Sequence, residues 1–335
     1  MANAQVPRLA NRRLSKSAVK RIILVMLLIF IVVFAYFFWK GRNPADVMLN
    51  NVGPVSQPTP LFGIYGSGKM GTLRKPMAVT VYDRRIFVSD TDNQRVAVFD
   101  YNGNPLFTFG KRGTDKGQFQ FPYGIVADNS GLVYVADLYN GNIQVFDQNG
   151  KFIKYFVDPK ANLFMQPAGL FFYNNKIYLA DVAKNEVLAF DLDGKKVLEF
   201  GKKGTGPGEL STPNAVAVSG DRIFVSDTGN ARVQVFDQTG KLLAINTGDE
   251  PKVKNSLFVN NRGVGVDGRG TLFVVSNLTS KIFAFDKNGH KPYPPFGSPG
   301  NEDTQFQLPN GLFIDNQGRL YFTDTMNQRV MVYQD

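Results

Sequence analysis

Carboxylates recur along this chain at a nearly constant interval. Asp90, Asp137, Asp181, Asp227 and Asp324, with Ser276 in the remaining place, each close a short β-rich run (IFVSD, VYVAD, IYLAD, IFVSD, LYFTD and LFVVS), and the interval is about 47 residues. Carboxylates gathered in space can ligate a hard cation or move a proton. A side chain that returns at one place in five of six copies is better explained by geometry, as a turn cap that accepts backbone N–H bonds at the end of a strand. Arg95, Arg232 and Arg329 follow the carboxylate at a constant offset, which suggests a structural pairing inside each copy. No catalytic residue is assigned. The chain has no Cys, which excludes disulfides, thiolate metal sites and cysteine nucleophiles. Its single His, His290, sits in a turn segment, and one imidazole cannot build a zinc site. No metal or cofactor is expected.

The elements that would position these groups are short strands. A period in the 40s with several runs rich in Val, Ile, Tyr and Phe predicts an all-β, six-bladed β-propeller with one four-stranded blade per copy. Between the third and fourth runs stand Asn102-Gly103, Asn149-Gly150, Asp193-Gly194, Thr239-Gly240 and Asn288-Gly289, which predict two-residue type I′ hairpins. The last copy stops after its third run. The segment 61–66 (LFGIYG) resembles a fourth run yet precedes the first copy, so it is expected to form the outer strand of the sixth blade and close the ring. Reading the residue just before the first strand of each blade gives a ring at the mouth of the central channel: Met77, Tyr123, Ala168, Asn214, Arg262 and Asn310. Tyr and Arg suit binding anchors because they join contact area to polar specificity. Tyr123, Arg262 and Asn310 lead the predicted partner contacts, with Asn214 and Met77, and with Tyr139 and Lys184 on neighbouring loops.

The first part of the chain has another composition. Eight basic residues and no acidic one fall within the first 43 positions, which leaves 30 basic against 28 acidic residues for the rest. The basic balance therefore belongs to a tail and does not describe a nucleic-acid-binding surface. Residues 22–39, opening on Ile22 and closing on Trp39, form an uninterrupted apolar run of 18 residues, long enough as a helix to cover roughly 27 Å. With six basic residues before it and no small residues for cleavage after it, the run predicts an uncleaved transmembrane anchor. The predicted organisation is a basic cytoplasmic tail at 1–21, the anchor at 22–39, a Pro-rich linker at 40–60 and a propeller at 61–335, placed in the periplasm or outside the cell.

The stretches DTDNQRVAVFD (90–100), DTGNARVQVFD (227–237) and DTMNQRVMVYQD (324–335), with Phe-Asp-x-x-Gly and Phe-Gly after them, resemble the NHL repeat, and the resemblance covers residues 61–335. It implies a six-bladed propeller of NHL type. Two copies depart from the pattern: the third has Lys184 and Glu186, and the fifth has Ser276, Thr279 and Lys281. Lactonase-type relatives hold calcium with carboxylates in the channel, where this ring offers none and adds Arg262. The amidating lyase of the family relies on histidine-bound zinc, a site that the single His290 cannot build. The expected function is thus a non-enzymatic binding scaffold or sensor, with a protein, peptide or glycan at the loop-rich face, the membrane through residues 22–39, and no nucleic acid. The alternative is a propeller hydrolase of lactonase or lyase type with an unrecognised metal site.

Overall fold

The computed structural model describes residues 56–248, 256–286 and 289–335. The basic tail, the apolar run 22–39 and most of the linker lie outside the described residues. Among the described residues, no helix is long and apolar enough to cross a membrane.

Alternating apolar runs bounded by Gly, Asn and Asp fold into antiparallel sheets, ordered along the chain and arranged around a central channel. The strands of each blade are named A to D from the channel outward. The A strands are Pro76–Tyr82, Pro122–Ala127, Pro167–Tyr173, Pro213–Ser219, Asn261–Val266 and Pro309–Ile314. Five of the six open on Pro, which has no N–H to give to a ladder and is tolerated as the first residue of a strand. Turns A–B and C–D lie at one end of the ring, here the turn face. Turns B–C and the links from D to the next A lie at the other, the loop face.

The closing strand lies two residues earlier than the 61–66 read from the sequence. Thr59–Ile64 pairs antiparallel with Arg329–Gln334 as strand D of blade 6, with Phe62 opposite Val332 and Ile64 opposite Val330. The core consists of layers between adjacent blades. At the seam, Ile86, Val88 and Phe99 of blade 1 pack with Tyr321, Val330 and Val332 of blade 6, all essentially inaccessible to water.

Two expectations are corrected. In the C–D turns at Asn102-Gly103, Asn149-Gly150, Asp193-Gly194 and Thr239-Gly240 only the Gly has positive φ, for example 86° at Gly103, so these are not type I′ hairpins. The Asp that ends strand C governs them instead: Asp100 Oδ1 accepts from the backbone N–H groups of Asn102 and Asn104 at 2.9 and 2.8 Å. Paired positive φ values, the type I′ signature, occur in the A–B turns at Asp83-Arg84 and Asn174-Asn175. Secondly, among the described residues blade 5 has three strands. Its outer position is reduced to one bridge between Ile282 and Phe296, because Pro292, Pro294 and Pro295 remove the donors a fourth strand needs.

Blades 5 and 6 are also joined by charge. Asp335, its side chain only 3 % exposed, meets the Arg269 guanidinium, which in turn holds Asp267 at 3.0 Å. Burial, then the bond to Asp267, pushes the Asp335 carboxyl up to about 6. The folded state therefore favours the protonated form. That stabilisation is complete below the unfolded carboxyl range near pH 4 and is lost as pH rises through about 6. Asp335→Asn should flatten this decline, so the denaturation midpoints of wild type and variant should converge at pH 4 and separate by pH 7, with the variant the more stable.

Candidate functional site

The recurring carboxylates are occupied with structure. Asp137 accepts from the backbone N–H groups of Gln120 and Phe121 on the incoming D–A link at 2.7 and 3.0 Å, and from those of Tyr139 and Asn140 in its own B–C turn. Asp181 binds Met165, Gln166, Ala183 and Lys184 in the same way. In blades 1, 4 and 6 the paired Arg completes the arrangement, with Nε 2.7, 2.7 and 2.8 Å from Asp90, Asp227 and Asp324. The guanidinium then donates to carbonyls of the link, Met70 for Arg95 and Gly206 and Glu209 for Arg232. The Thr after the Asp reaches the next blade: Thr91 donates to Pro122 O, Thr228 to Asn261 O, and Thr325 to Pro76 O across the seam. Each part of the Asp-Thr-x-Asn-x-Arg pattern thus fixes a link or a neighbour. The drifted copies keep the function with other groups. Lys184 Nζ donates to Leu163 O at 2.6 Å, and Ser276 Oγ accepts from Val259 N at 3.0 Å.

The predicted ring is brought together, but deeper than expected. Its members are the second residues of strands A and do not project at a mouth. Met77, Tyr123, Ala168, Asn214 and Asn310 are all buried, and Arg262 is partly so. Three of them are joined at the channel neck. Asn214 Oδ1 accepts from the Tyr123 hydroxyl at 3.0 Å, from two blades away, and from Arg262 Nη1 at 2.5 Å. Burial raises the Tyr123 hydroxyl above its ordinary range, against the opposing pull of the Arg262 charge. Asn310 is tied back to Thr325.

The neck is narrow because the residue after each ring member is small. A Cβ on Gly124 would lie 2.0 Å from Ala168 O, one on Gly169 2.5 Å from Asn214 O, and one on Gly311 2.6 Å from Met77 O. Below the neck the channel widens into a funnel of about 560 Å³. Its walls are the later residues of strands A, such as Val81, Phe172, Leu312 and Ile314, and its rim is the A–B turns, including Arg84, Asn129 and Asn316. Among the described residues, none from the B–C turns or the D–A links lines it. The funnel therefore opens at the turn face, and Tyr123, Asn214 and Arg262 form its floor.

A family model described as a 6-bladed beta-propeller matches residues 157–219, and the NHL repeat model matches residues 119–146 and 210–236. The matched segments lie in blades 2 to 4, and the six blades and the motif roles above carry the same pattern around the ring. The chain is an NHL-repeat six-bladed β-propeller. "Protein brain tumor" of Drosophila melanogaster is 30% identical over 131 residues, 38% of this chain and 12% of that protein. Human "NHL repeat-containing protein 3" is 27% identical over 175 residues, 50% of this chain and 39% of that one. The matched region is thus less than half the length of these relatives. Among solved structures, virginiamycin B lyase from Staphylococcus aureus covers 82% of this chain with a TM-score of 0.55 at 13% identity. A gluconolactonase from Xanthomonas campestris covers 84% with a TM-score of 0.57 at 17% identity. These likenesses show the fold.

The loop face of this NHL propeller has a feature that the sequence reading missed. Large apolar side chains stand exposed on it: Tyr139 at 60 %, Met165 at 63 %, Leu278 at 58 % and Met326 at 51 %, with Tyr65, Leu257, Val259 and Leu308 also exposed. Tyr139, Leu278 and Met326 occupy one register, the second residue after the closing Asp or Ser, which was open to reading across the copies. Tyr139 lies against Phe121, ring centroids 4.7 Å apart, and Lys75 Nζ lies over the Phe121 ring, 5.1 Å from its centroid. Lys184 is exposed on the same face.

Proposed function

We propose that this NHL propeller is a non-enzymatic scaffold that binds a protein or peptide through its loop face, and that residues 22–39 hold it to a membrane with the propeller in the periplasm or outside the cell. The observation that carries the reading is the set of exposed apolar residues on that face. Large apolar side chains exposed together on one face of a rigid ring favour an interaction site, because water is displaced from them at a gain when a partner covers them. Elsewhere, exposed apolar residues lie on the outer D strands, singly at Leu106, Ile153 and Val197 and as a pair at Leu243 and Ile245 of blade 4, fewer to a blade than the loop face gathers. The matches to NHL-repeat proteins support a binding role in kind. Anchoring would confine encounters to the membrane surface and raise the effective concentration of a partner held there.

Tyr139 and Lys184 are the predicted contacts that this face presents directly. Met77, Asn214 and Asn310 lie beneath it and contribute by fixing the neck. The double variant Leu278→Asp/Met326→Asp should fold with an unchanged melting curve and lose at least tenfold in partner recovery from crosslinked membranes, since two charges would enter the apolar contact. Full recovery by this variant would contradict the face. The absence of Cys allows the location to be read from the same preparation: a single Ser130→Cys should react with a membrane-impermeant maleimide in intact cells. Reaction only after lysis would contradict the placement.

A further inference from the structure

The funnel opens on the opposite side from the loop face, and its floor holds a cation with no counter-ion. Among the described residues, no carboxylate pairs with Arg262. Its Nη1 donates to Asn214 Oδ1, while its Nε is buried without a hydrogen-bond partner. Buried guanidinium donors are ordinarily satisfied, and leaving one open is costly unless something arrives to accept from it. Asn214 cannot serve further. Its oxygen already takes two donors, and its Nδ2 is spent on Thr212 O and Thr228 Oγ1.

Around this cation the wall is mixed, built of strand A backbone and of partly exposed apolar side chains, Val81, Phe172, Leu312 and Ile314. Two acidic groups near the rim are committed elsewhere: Asp128 accepts from Ser130, Leu132 and Tyr134, and Asp315 from Tyr101 and Tyr321. The third, Asp83, is exposed at the outer edge of the rim, next to Arg84. A volume of about 560 Å³ lies within the range of small-molecule sites, which combine apolar walls with a few converging polar groups.

We propose that the funnel is a binding site for a small amphipathic monoanion, a carboxylate with an apolar body, that enters from the turn face and places its carboxylate on Arg262. One guanidinium matches one carboxylate in charge and in fork geometry. A phosphate dianion would leave a net negative charge in the funnel with the rim aspartates nearby. The body of the ligand would replace water along the walls, and the Tyr123 hydroxyl stands beside the carboxylate position. This site is separate from the loop face, so a soluble metabolite could be sensed at one end of the ring while the other end holds a partner.

The test is equilibrium dialysis of the full chain in lipid nanodiscs against 4-phenylbutyrate, with empty nanodiscs as background and neutral 4-phenylbutyramide as the uncharged match. The acid should bind saturably, about tenfold to a hundredfold more tightly than the amide, the range a charge-assisted hydrogen bond provides. Arg262→Gln should abolish that difference, and Val81→Trp, which narrows the funnel on the turn-face side, should weaken both probes. Leu278→Trp, on the loop face, should leave both unchanged. Equal binding of acid and amide by the wild type, or no saturable binding of the acid into the millimolar range, would overturn the proposal without recourse to any variant. Retention of the acid preference by folded Arg262→Gln would overturn the assignment of Arg262.

Discussion

Arg329→Ala is expected to lower the unfolding free energy by about 3–5 kcal/mol, the usual cost of breaking a buried ion pair from one side. Asp324 is fully buried and Arg329 nearly so, with Nε 2.8 Å from the carboxylate. Nη1 donates to the Tyr65 hydroxyl at 3.1 Å and to Asn301 O at 2.8 Å, and Nη2 to Glu302 O and Gln305 O at 2.8 and 2.9 Å. One guanidinium thus ties the closing strand, the last D–A link and the carboxylate together. Without it, Asp324 keeps the Gln307 N–H and Asn327 but remains a charge out of water, and three carbonyls lose a donor. Burial already holds the Asp324 carboxyl above its usual range despite the Arg. Arg95→Ala should cost less, since that Arg is more exposed and donates to fewer carbonyls. Urea denaturation of each variant measures the difference. A stable Arg329→Ala chain would mean the motif pair does not hold the link.

Gly124→Ala should be nearly as damaging, about 3 kcal/mol, at the upper end for overpacking in a tight core. The added methyl would stand 2.0 Å from the carbonyl oxygen of Ala168 and 3.0 Å from Leu170 N, both backbone atoms of a neighbouring strand A. No side chain can rotate away, so blades 2 and 3 would have to part at the neck and disturb the contact of Tyr123 with Asn214. The φ of Gly124 is not in the left-handed region, so the effect is steric. Gly268→Ala offers the control: nothing lies within 4 Å of its would-be Cβ, and the substitution should change the melting temperature little. Equal tolerance at both positions would show the ring to be looser than the geometry has it.

The period was legible because each copy must solve the same local problem. The Asp that closes strand B, the Gly of the C–D turn and the strand at 59–64 follow from alternation, turn chemistry and the need to pair an edge. Residues far apart in sequence but brought close across blades, such as Tyr123 and Asn214, were not legible in the same way. Met77, Tyr123, Asn214, Arg262 and Asn310 were found as a set by register, yet their depth depends on how closely six strands A approach, which the small residues after them determine. The direction in which the channel opens depends on all six A–B turns at once. The turn type between strands C and D was misread because Asn-Gly suits a type I′ pair, whereas the Asp two residues earlier captures the backbone first. The three prolines after His290 did carry the signal for a missing outer strand in blade 5.

In the proposed function the loop face, and not the outer wall or the turn face, meets a protein partner. Site-specific photocrosslinking in intact membranes tests it most directly, with a photoreactive residue placed singly at Leu278 on the loop face, Ile153 on the outer wall and Asn129 on the turn face. A discrete protein adduct from position 278 alone is the predicted result. Adducts from position 153 or 129 with none from 278 would contradict it.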